Sequence, residues 1–368
     1  MKFVHNFLTW LETAFDREYS NESCCYKPLK LLDLSQNVFE NILRQMDFIS
    51  VFDLSLLSEE MRLKIKQINF QFDCLEINNF GSKNWIKFRN SSEEVPAMTF
   101  NFDTNYYDWG WKIKIGEKKV EMRGRRYPTN EYCFQTKDFE SDLKNLLDYF
   151  SSLFHFQSGF AVIELDSKSQ KLRELIAHPI FNNRLVLQLS GVLYSYTGLD
   201  SLIQGNFENL EGFVADFEFG NHFDYKEILK FKHCSFNYAK SFTRRDLLTL
   251  EFQNLKIRNH RLTGGDVNSF IKSWLAGNHK NLEHLGISKN FGLEDIEDVS
   301  HGLETVKWDE TKRDGHFLID SIRTTNAIDC RQGLDVQRAD GTIGTMVFKN
   351  DHFLFLVWKN PFVGRIDE

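Results

Sequence analysis

Four residues in the second half of the chain have side chains that could bind a metal ion. His233 and Cys234 are adjacent, and His222 and His260 lie nearby in the sequence. Imidazole nitrogen and thiolate sulfur are common zinc ligands in proteins. The spacing matches no zinc-binding pattern, however, and Cys234 occupies a position that suits a buried apolar residue. We therefore expect no metal ion and no cofactor.

A second candidate is the segment TGGDVN, from Thr263 to Asn268. Two glycines at the start of a helix can expose backbone amides to an anion. The same residues also form an ordinary helix start, with Thr263 as the capping residue. We expect the capping role, so no ligand is predicted for this segment.

A third candidate is the basic run EKKVEMRGRRYP, whose cations are Lys118, Lys119, Arg123, Arg125 and Arg126. Such a run can bind phosphate groups, but a solvated face of a β-hairpin is the expected structure. The whole chain has a formal net charge of -7 and a pI near 5.9. Nonspecific nucleic-acid binding needs a clustered cationic surface, so no nucleic-acid partner is expected.

Catalytic motifs are not recognisable in this sequence. It has no nucleophile elbow, no phosphate-binding loop and no zinc-binding helix motif. Catalysis would need a nucleophile, a base and an orienting group that converge in the fold. We therefore predict no catalytic residues, and an enzyme that uses unassigned acidic and histidine side chains is the weaker alternative.

The composition is that of a globular protein. Of 368 residues, 42% are hydrophobic and 35 are phenylalanine, which is enough for a large core. The six cysteines include no CxxC pair, so we expect reduced thiols and an intracellular protein, cytoplasmic or nuclear. No run approaches the roughly 18 apolar residues of a membrane-spanning helix, so no membrane partner is expected.

The chain is predicted to have three parts. Residues 1–27 form a leading helix and a polar linker, because the apolar residues between Met1 and Phe15 fall on one helical face. Polar residues within that segment argue against a signal peptide. Residues 28–68 form a compact helical unit, and residues 69–368 form an α/β domain.

The helical unit at 28–68 shows three helix starts. Ser35 is expected to cap the first helix, Asp47 and Ser50 restart the chain, and Ser58 is expected to cap the third helix. Apolar residues recur at three- and four-residue steps, as on one face of a helix. In the first two helices these positions are Leu34, Val38, Ile42, Leu43, Met46, Val51, Leu54 and Leu57.

The rest of the chain alternates short β-like runs with helical segments. The run LEHLGISKN, with Leu282, Leu285, Ile287 and Asn290, fits the leucine-rich-repeat pattern L-x-x-L-x-L-x-x-N. Less complete copies are found in LKFKHCSF, LLTLEFQNLKI and RLVLQLSG. Because their spacing is uneven, an irregular leucine-rich-repeat-like solenoid and ordinary α/β packing both stay open.

Two further elements accompany this pattern. A helix that begins at Thr263 is predicted to bury Trp274 and to end before Gly277, which suits a left-handed backbone position. The ending GLDVQRADGTIGTMVFKNDHFLFLVW indicates antiparallel strands with turns at Asp340-Gly341 and Asn350-Asp351. The predicted fold class is therefore α+β or α/β, with three helices at the front and antiparallel strands at the end.

Residues 28–68 resemble the F-box, a three-helix module that binds the adaptor of a cullin-RING ubiquitin ligase. The resemblance rests on LLDLSQNVFENILRQMDFISVFDLSLLSEEMRLKIKQ. The family usually has Leu-Pro where this chain has Leu34-Ser35, and Leu63 or a neighbour stands where the third helix usually has an aromatic. The resemblance implies a Skp-type adaptor as partner. The adaptor-binding residues that it implies are Leu34, Ser35, Val38, Ile42, Met46, Val51, Leu54 and Leu57.

The second half resembles the F-box-associated domain, type 2, of nematode F-box proteins. The resemblance rests on FTRRDLLTLEFQNLKI, GGDVNSFIKSWLAGNHKNLEHLGI and RADGTIGTMVFKNDHFLFLVW, and it is best at about residues 225–290. It implies a non-catalytic substrate receptor that joins an unidentified protein target to the ligase through the adaptor and the cullin scaffold. The alternative is an interaction scaffold whose F-box recruits no ligase.

Overall fold

The chain forms two compact units, residues 1–157 with 178–180 and residues 158–177 with 181–368. The predicted leading helix and linker at 1–27 lie outside the described residues. The computed structural model describes residues 31–80, 83–90, 96–103, 111–115, 118–122, 131–135, 139–164, 177–181, 184–191, 210–220, 223–288, 293–320, 325–349 and 352–362.

Short helices begin the described part of the first unit, and their three starts were predicted correctly, as was the cap at Ser58. The side chain of Asp47 accepts from the backbone amide of Ser50 at 2.8 Å, and that of Ser58 accepts from Met61 at 3.1 Å. Ser35 occupies the first capping position, but its side chain makes no capping hydrogen bond to the described residues, so that expectation was wrong. Ser35 is exposed, which leaves the free amides to water. The elements are a 3-10 turn (Leu31–Asp33), α1 (Gln36–Arg44), α2 (Phe48–Ser55), α3 (Glu59–Ile68) and α4 (Phe139–Ser151).

A mixed sheet follows the first three helices. Its strands are β1 (Phe70–Phe80), β2 (Lys83–Arg89), β3 (Met98–Asp103), β4 (Trp111–Ile115), β5 (Lys118–Met122) and β6 (Glu131–Gln135). Their order across the sheet is β1-β2-β3-β6-β5-β4, with β3 and β6 parallel and the other described pairs antiparallel. A seventh strand, β7 (Phe154–Glu164), begins in this unit and continues in the second, and a 3-10 turn at Pro179–Phe181 is divided in the same way.

Aromatic side chains fill the core of the first unit. Phe52 of α2 contacts the rings of four residues at centroid distances of 5.3 to 6.0 Å, namely Phe100, Tyr132, Tyr149 and Phe150. These rings belong to β3, β6 and α4, so one helical residue joins three other elements. Aromatic pairs of this kind stabilise a core by roughly 0.5–1.5 kcal/mol each beyond their buried area. The front helices therefore fold as part of this unit.

Hydrogen bonds between side chains reinforce the same contact. The hydroxyl groups of Ser55 and Tyr149 lie 2.8 Å apart, and the hydroxyl of Tyr132 donates to the carboxylate of Asp53 at 2.5 Å. Burial raises the pKa of the Tyr149 phenol, so this group stays neutral and keeps its proton. Both pairs connect α2 to elements far along the chain.

We expect Phe52→Ala to destabilise the first unit by roughly 3–5 kcal/mol, because it removes a buried ring and leaves a cavity. The matched control is Leu57→Ala, since Leu57 is 46% exposed. Its loss should change the free energy of unfolding by less than about 0.5 kcal/mol. Urea denaturation of the full chain, followed by circular dichroism, measures both variants. Equal losses would show that α2 does not belong to the aromatic core.

The second unit has a mixed sheet and further helices. Its strands are the end of β7, β8 (Leu185–Ser190), β9 (Leu210–Glu218), β10 (His233–Tyr238), β11 (Asn254–Arg258), β12 (His284–Ser288), β13 (Val306–Lys307), β14 (His316–Asp320), β15 (Thr325–Asp329), β16 (Leu334–Gln337), β17 (Ile343–Lys349) and β18 (His352–Trp358). Its helices are α5 (Lys226–Leu229), α6 (Arg244–Thr249), α7 (Gly264–Leu275) and α8 (Leu293–Ser300). None of the helices in the described part of the chain is long and apolar enough to cross a membrane.

Strands β7 to β12 lie side by side in chain order and pair in parallel. Strands β18, β17, β16 and β13 then extend the sheet with antiparallel pairs, as predicted for the end of the chain. Solenoids and ordinary α/β sheets share this consecutive parallel order. The leucine-rich-repeat-like description is therefore not confirmed, and its Asn290 lies outside the described residues.

Side chains of these strands alternate between two faces of the sheet. The register aligns one buried row across the strands, and the row consists of Leu187, Phe213, Cys234, Leu255, Leu285, Phe355 and Met346. Because successive residues of a strand point to opposite faces, the residues between these positions form a second surface. One core thus lies on this face of the sheet. A second cluster of buried residues lies on the opposite face at β17 and β18, where it packs against β14 and β15, and its members are Cys330, Val347, Leu354, Leu356 and Trp358.

Helix α7 covers the buried face. Trp274 is fully buried, and its ring meets the ring of Phe355 edge-on at a centroid distance of 5.1 Å. Thr263 caps the helix, with Asp266 completing a capping box. Gly277 follows the helix end with a φ of 96°, so the predicted cap, buried tryptophan and left-handed glycine are all confirmed.

A buried ion pair fixes the antiparallel end of the sheet. Arg313 is fully buried, and its Nε and Nη2 atoms each lie 2.8 Å from a carboxylate oxygen of Asp335. The hydroxyl of Thr345 donates to the same carboxylate at 2.7 Å, and the Trp358 indole donates to that hydroxyl at 2.7 Å. Arg313 also donates to the carbonyl of Cys330 at 3.1 Å. A buried pair with this many hydrogen bonds keeps both charges compensated.

We expect Trp274→Ala to cost roughly 3–5 kcal/mol of stability, because truncation leaves a cavity between α7 and the sheet. Lys272→Ala, at an exposed position of the same helix, is the control and should be close to neutral. Calorimetric melting of the full chain compares the two. A Trp274→Ala protein that melts like wild type would contradict the assignment of this ring to the core.

Candidate protein-interaction surfaces

Helix α1 carries an apolar stripe beside its buried side. Phe39 and Leu43 are fully buried and hold the helix in the unit. Val38 is 47% exposed, while Ile42 and Met46 are half-buried. Since Val38, Ile42 and Met46 follow each other at four-residue intervals, their side chains share one side of the helix. This stripe is accessible to another protein.

The other predicted adaptor-binding residues fall into two groups. Leu34 is half-buried, Ser35 is exposed and Leu57 is 46% exposed, so these three are accessible. Val51 and Leu54 are 0% and 3% exposed, because α2 directs its apolar side into the unit. The structure therefore places the first group at the surface and the second group beneath it.

Lys64 of α3 fixes the chain that leads into α1. Its ammonium group donates to the backbone carbonyls of Leu32 and Leu34 and lies 5.2 Å from the ring centre of Phe39. These contacts hold Leu34 in place at the entrance of the helix. The neighbouring Leu63 is 48% exposed and adds an apolar side chain that was not predicted to bind. The sequence pattern that could have indicated Leu63 is its position, because F-box sequences usually have an aromatic residue there in the third helix.

The second surface is the side of β9–β12 that faces away from α7. Lys256 and Arg258 of β11 are both exposed, and they alternate with the buried Leu255 and Ile257. Arg258 makes no ion pair within the described part of the chain. Neither cation was predicted from the sequence to be a functional residue. The alternation of charged and apolar residues along β11 is the sequence pattern that could have indicated them. We call this surface the open face, and its residues are Asp216, Glu218, Ser235, Asn237, Lys256, Arg258 and Ser288.

The carboxylates of the open face lie on β9 and have partners within the fold. Asp216 accepts from the side-chain amide of Asn237 at 3.1 Å and from the hydroxyl of Ser190 at 3.4 Å. A carboxylate oxygen of Glu218 lies 3.8 Å from the ammonium nitrogen of Lys240. The partners of Asp216 are neutral, so its charge remains, and Glu218 lies near one ammonium group. The open face therefore carries carboxylates as well as the exposed guanidinium of Arg258.

His284 of β12 lies beside the open face. Burial, and to a smaller extent the nearby Lys256, His233 and His352, lower its pKa to about 4. Its Nε2 atom is buried and makes no hydrogen bond to the described residues. The imidazole packs over Gly286, where an added Cβ would lie 3.3 Å from Nε2. His284 is therefore neutral near pH 7.

A cleft of about 320 Å³ opens near the starts of β10 and β11. Its charged lining is already paired within the fold, so it has little charge to offer a ligand. The pairs are Lys230 with Glu227, Lys232 with Glu211 and Lys359 with Glu283.

The histidine and cysteine residues at 233 and 234 do not form a metal centre in the described part of the chain. No group of three His, Cys, Asp or Glu side chains is placed there to hold a metal ion, and His222 lies outside the described residues. Cys234 is buried, and its thiol donates to the carbonyl of Ile228 at 3.2 Å. Burial raises the pKa of this thiol far above its usual range, so it is a neutral core residue.

The possible anion site at TGGDVN is occupied by the helix's own cap. The hydroxyl of Thr263 accepts from the amide of Asp266 at 3.3 Å, and the carboxylate of Asp266 accepts from the amide of Thr263 at 2.9 Å. These contacts use the polar groups that an anion would need. Of the basic run, Lys118 and Lys119 lie on β5, which pairs antiparallel with β4 as predicted, while residues 123–130 lie outside the described residues.

We expect His284 to make stability depend on pH. Between pH 6.5 and about 4 the unfolded chain binds a proton that the folded chain does not, so stability is lost as the pH falls through this window. From pH 7 to pH 5 the wild type should lose roughly 2 kcal/mol more than His284→Gln. Urea denaturation of both proteins at several pH values measures the difference. Parallel profiles would contradict the low pKa.

Two protein-family models match the chain. The F-box domain model matches residues 31–73, which extend from the first turn through α1, α2 and α3 into β1. The F-box-associated model matches residues 222–287, which extend from just before α5 into β12. The first match covers the apolar stripe, and the second includes Lys256 and Arg258 of the open face.

Three uncharacterized proteins of Caenorhabditis elegans are similar along most of the chain. F59B2.8 is 22% identical over 87% of this chain and 75% of its own length. F54H12.5 is 23% identical over 90% of this chain and 94% of its own length, and F59B2.9 is 21% identical over 90% and 79%. No solved structure matches the chain significantly. With an F-box followed by an F-box-associated domain, the chain is an F-box protein of the nematode type.

Proposed function

We propose that this chain is a non-catalytic substrate receptor of an SCF-type ubiquitin ligase. The F-box helices bind a Skp-type adaptor, which connects the chain to the cullin scaffold, and the second unit binds a protein target. The observation that carries the proposal is the accessible apolar stripe of α1, with Val38 47% exposed. Apolar side chains that a folded unit leaves exposed in a group are typical of protein-protein contacts.

The proposed adaptor-binding residues have two roles. Val51 and Leu54 are buried, so we assign them to the support of the surface from beneath. A charge at either position would disrupt packing before it affected a contact. The residues proposed to touch the adaptor are Leu34, Ser35, Val38, Ile42, Met46 and Leu57.

The backbone conformation at Leu34-Ser35 supports the proposal that this F-box still binds an adaptor. F-box sequences usually have proline at the second position, and proline fixes φ near -65°. Ser35 has a φ of -60° and an extended ψ of 151°, so the backbone follows the path that proline would impose. Lys64 holds the carbonyl of Leu34 at 3.2 Å. The change from proline to serine therefore leaves the entrance of α1 in the conformation expected of an F-box.

The second candidate function is an interaction scaffold without a ligase role. The observation that favours it is the missing side-chain cap at Ser35. An absent N-cap hydrogen bond weakens a helix start by roughly 1 kcal/mol, which would lower the affinity of a surface built on α1. In this alternative the second unit still binds a protein, but no ligase is recruited.

The proposed receptor works inside the cell, in the cytoplasm or the nucleus. No disulfide bond joins the described cysteines Cys74, Cys133, Cys234 and Cys330 to one another, which supports a reducing compartment. Ubiquitin transfer belongs to other subunits of the ligase, so no residue of this chain is proposed to be catalytic. For the second unit we propose a leucine-rich-like array in which β10 to β12 present the open face to the target.

We expect Val38→Glu and Ile42→Glu to abolish adaptor capture, each by more than roughly tenfold, because a charge enters an apolar contact. Asn37→Glu is the matched control, since Asn37 is exposed and lies about 100° around the helix from Val38 and about 140° from Ile42. Pull-down of a co-expressed Skp-type adaptor measures binding. Circular dichroism melting checks that each variant is folded.

The proposal first requires that the wild-type chain captures the Skp-type adaptor. A folded wild-type chain that captures no adaptor would contradict the ligase role and favour the scaffold. If Asn37→Glu loses the adaptor as fully as Val38→Glu, the contact is not on the apolar stripe, and the residue assignment is wrong.

A further inference from the structure

We propose that Lys64 is a positioning residue for the adaptor-binding surface. It holds the segment that leads into α1, residues 31–35, which we call the entrance segment. The inference rests on the proposed function and deepens it, because it makes the affinity for the adaptor depend on a side chain of α3 that acts through its contacts within the fold.

The entrance segment has few anchors of its own. Its three leucines are half-buried, and Asp33 and Ser35 are exposed, so none of its side chains belongs to the core. The side chain of Ser35 makes no capping hydrogen bond to the described residues. A segment without buried side chains opens locally at a low cost in free energy. Its conformation therefore depends on contacts from elsewhere in the unit.

Lys64 supplies such a contact. Its ammonium group donates to the backbone carbonyl of Leu32 and, at 3.2 Å, to that of Leu34. The same nitrogen lies 5.2 Å from the ring centre of Phe39, which is fully buried. A hydrogen bond from a charged donor is stronger than one between neutral groups. One side chain thus joins α3, the entrance segment and the first turn of α1.

Helix α3 is a firm base for this side chain. Ile65 and Ile68 are 0% and 3% exposed, so the helix is anchored in the core of the unit. Arg62 donates to the hydroxyl of Ser152, just after α4, at 3.0 Å. Because Lys64 directly precedes Ile65, its side chain starts from a fixed backbone position.

The geometry favours positioning over direct contact with the adaptor. An ammonium group has three donors, and Lys64 uses two of them on the entrance segment. At the other end of α1, Arg44 donates to the carbonyl of Ile68 at 3.2 Å. Helix α1 itself is held by the fully buried Phe39 and Leu43. Loss of the Lys64 contacts should therefore release the entrance segment and leave α1 in place.

The entrance segment carries part of the proposed adaptor surface. Leu34 and Ser35 belong to it, and Val38 of the apolar stripe follows within one turn. If the segment is open in the free chain, binding must order it, and the apparent affinity falls with the fraction of molecules in which it is ordered. Lys64 keeps this fraction high before the adaptor arrives.

The test titrates a purified Skp-type adaptor against the full chain. We expect Lys64→Met, which keeps a side chain of similar length but has no donor, to weaken binding about fivefold. Lys64→Arg keeps a charged donor and should lose less than about twofold. Lys66→Met is the matched control and should bind as wild type does, since Lys66 is exposed and lies about 200° around α3 from Lys64. Circular dichroism melting checks that each variant is folded.

Ser35→Pro distinguishes positioning from direct contact. Ser35 has a φ of -60°, so proline fits there and restricts the segment without a contact from Lys64. In the Lys64→Met chain, Ser35→Pro should restore affinity to within about twofold of wild type. In the wild-type chain, where the segment is already held, it should change affinity by less than about twofold. Proline cannot replace an ammonium group that touches the adaptor, so an absence of rescue would overturn the positioning role.

Hydrogen exchange of the free chain measures the entrance segment without the adaptor. We expect a peptide that covers residues 31–40 to exchange faster in Lys64→Met than in wild type or Lys66→Met. Unchanged adaptor affinity in Lys64→Met would overturn the inference whether or not exchange is faster, and the ligase role would stand. If the wild type captures no adaptor, the ligase role itself fails and the positioning role falls with it, even where exchange shows that Lys64 holds the segment.

Discussion

The two-residue alternation of side chains in the parallel strands is the constraint on which the second unit depends. Leu255 and Ile257 must face α7 to build the core, and a shift of one residue would bring Lys256 and Arg258 into it instead. Burial of those charges would cost far more than any gain in pairing. The register of β11 is therefore fixed by its core residues, and the positions of the exposed cations follow from it.

The first unit depends on a similar division of its residues. Phe52 and Phe39 are fully buried and carry the packing of the front helices. Val38 and Ile42 belong to the same helix as Phe39, but their side chains lie beside its buried side and remain accessible. A binding surface formed in this way can change without loss of the core, because its side chains make few contacts within the unit. This separation supports an F-box whose stability and adaptor binding are distinct properties.

Charged groups in this protein divide into structural and accessible ones. Arg313 is fully buried and is compensated by Asp335, so its charge serves the fold. Arg258 is exposed, and its charge is available to a partner. His284 stays neutral because protonation would place a charge in a buried region.

The local signals of the sequence were enough to determine single elements. The helix start at Asp47, the caps at Ser58 and Thr263, the buried Trp274 and the left-handed Gly277 depend on residues within one or two turns, so each was predicted correctly. The antiparallel end of the chain was also predictable, because alternation and turn residues are local.

Only the tertiary structure decided which apolar residues are accessible and where the charges lie. Val51 and Val38 are equally apolar and both lie on short helices, yet the first is buried because α2 meets the aromatic sheet. Ser35 was expected to cap α1, but capping depends on a side-chain rotamer that the sequence does not fix. The separation of Arg258 from the acidic residues of β9 depends on the order of the strands, since charges that meet in space come from distant parts of the chain.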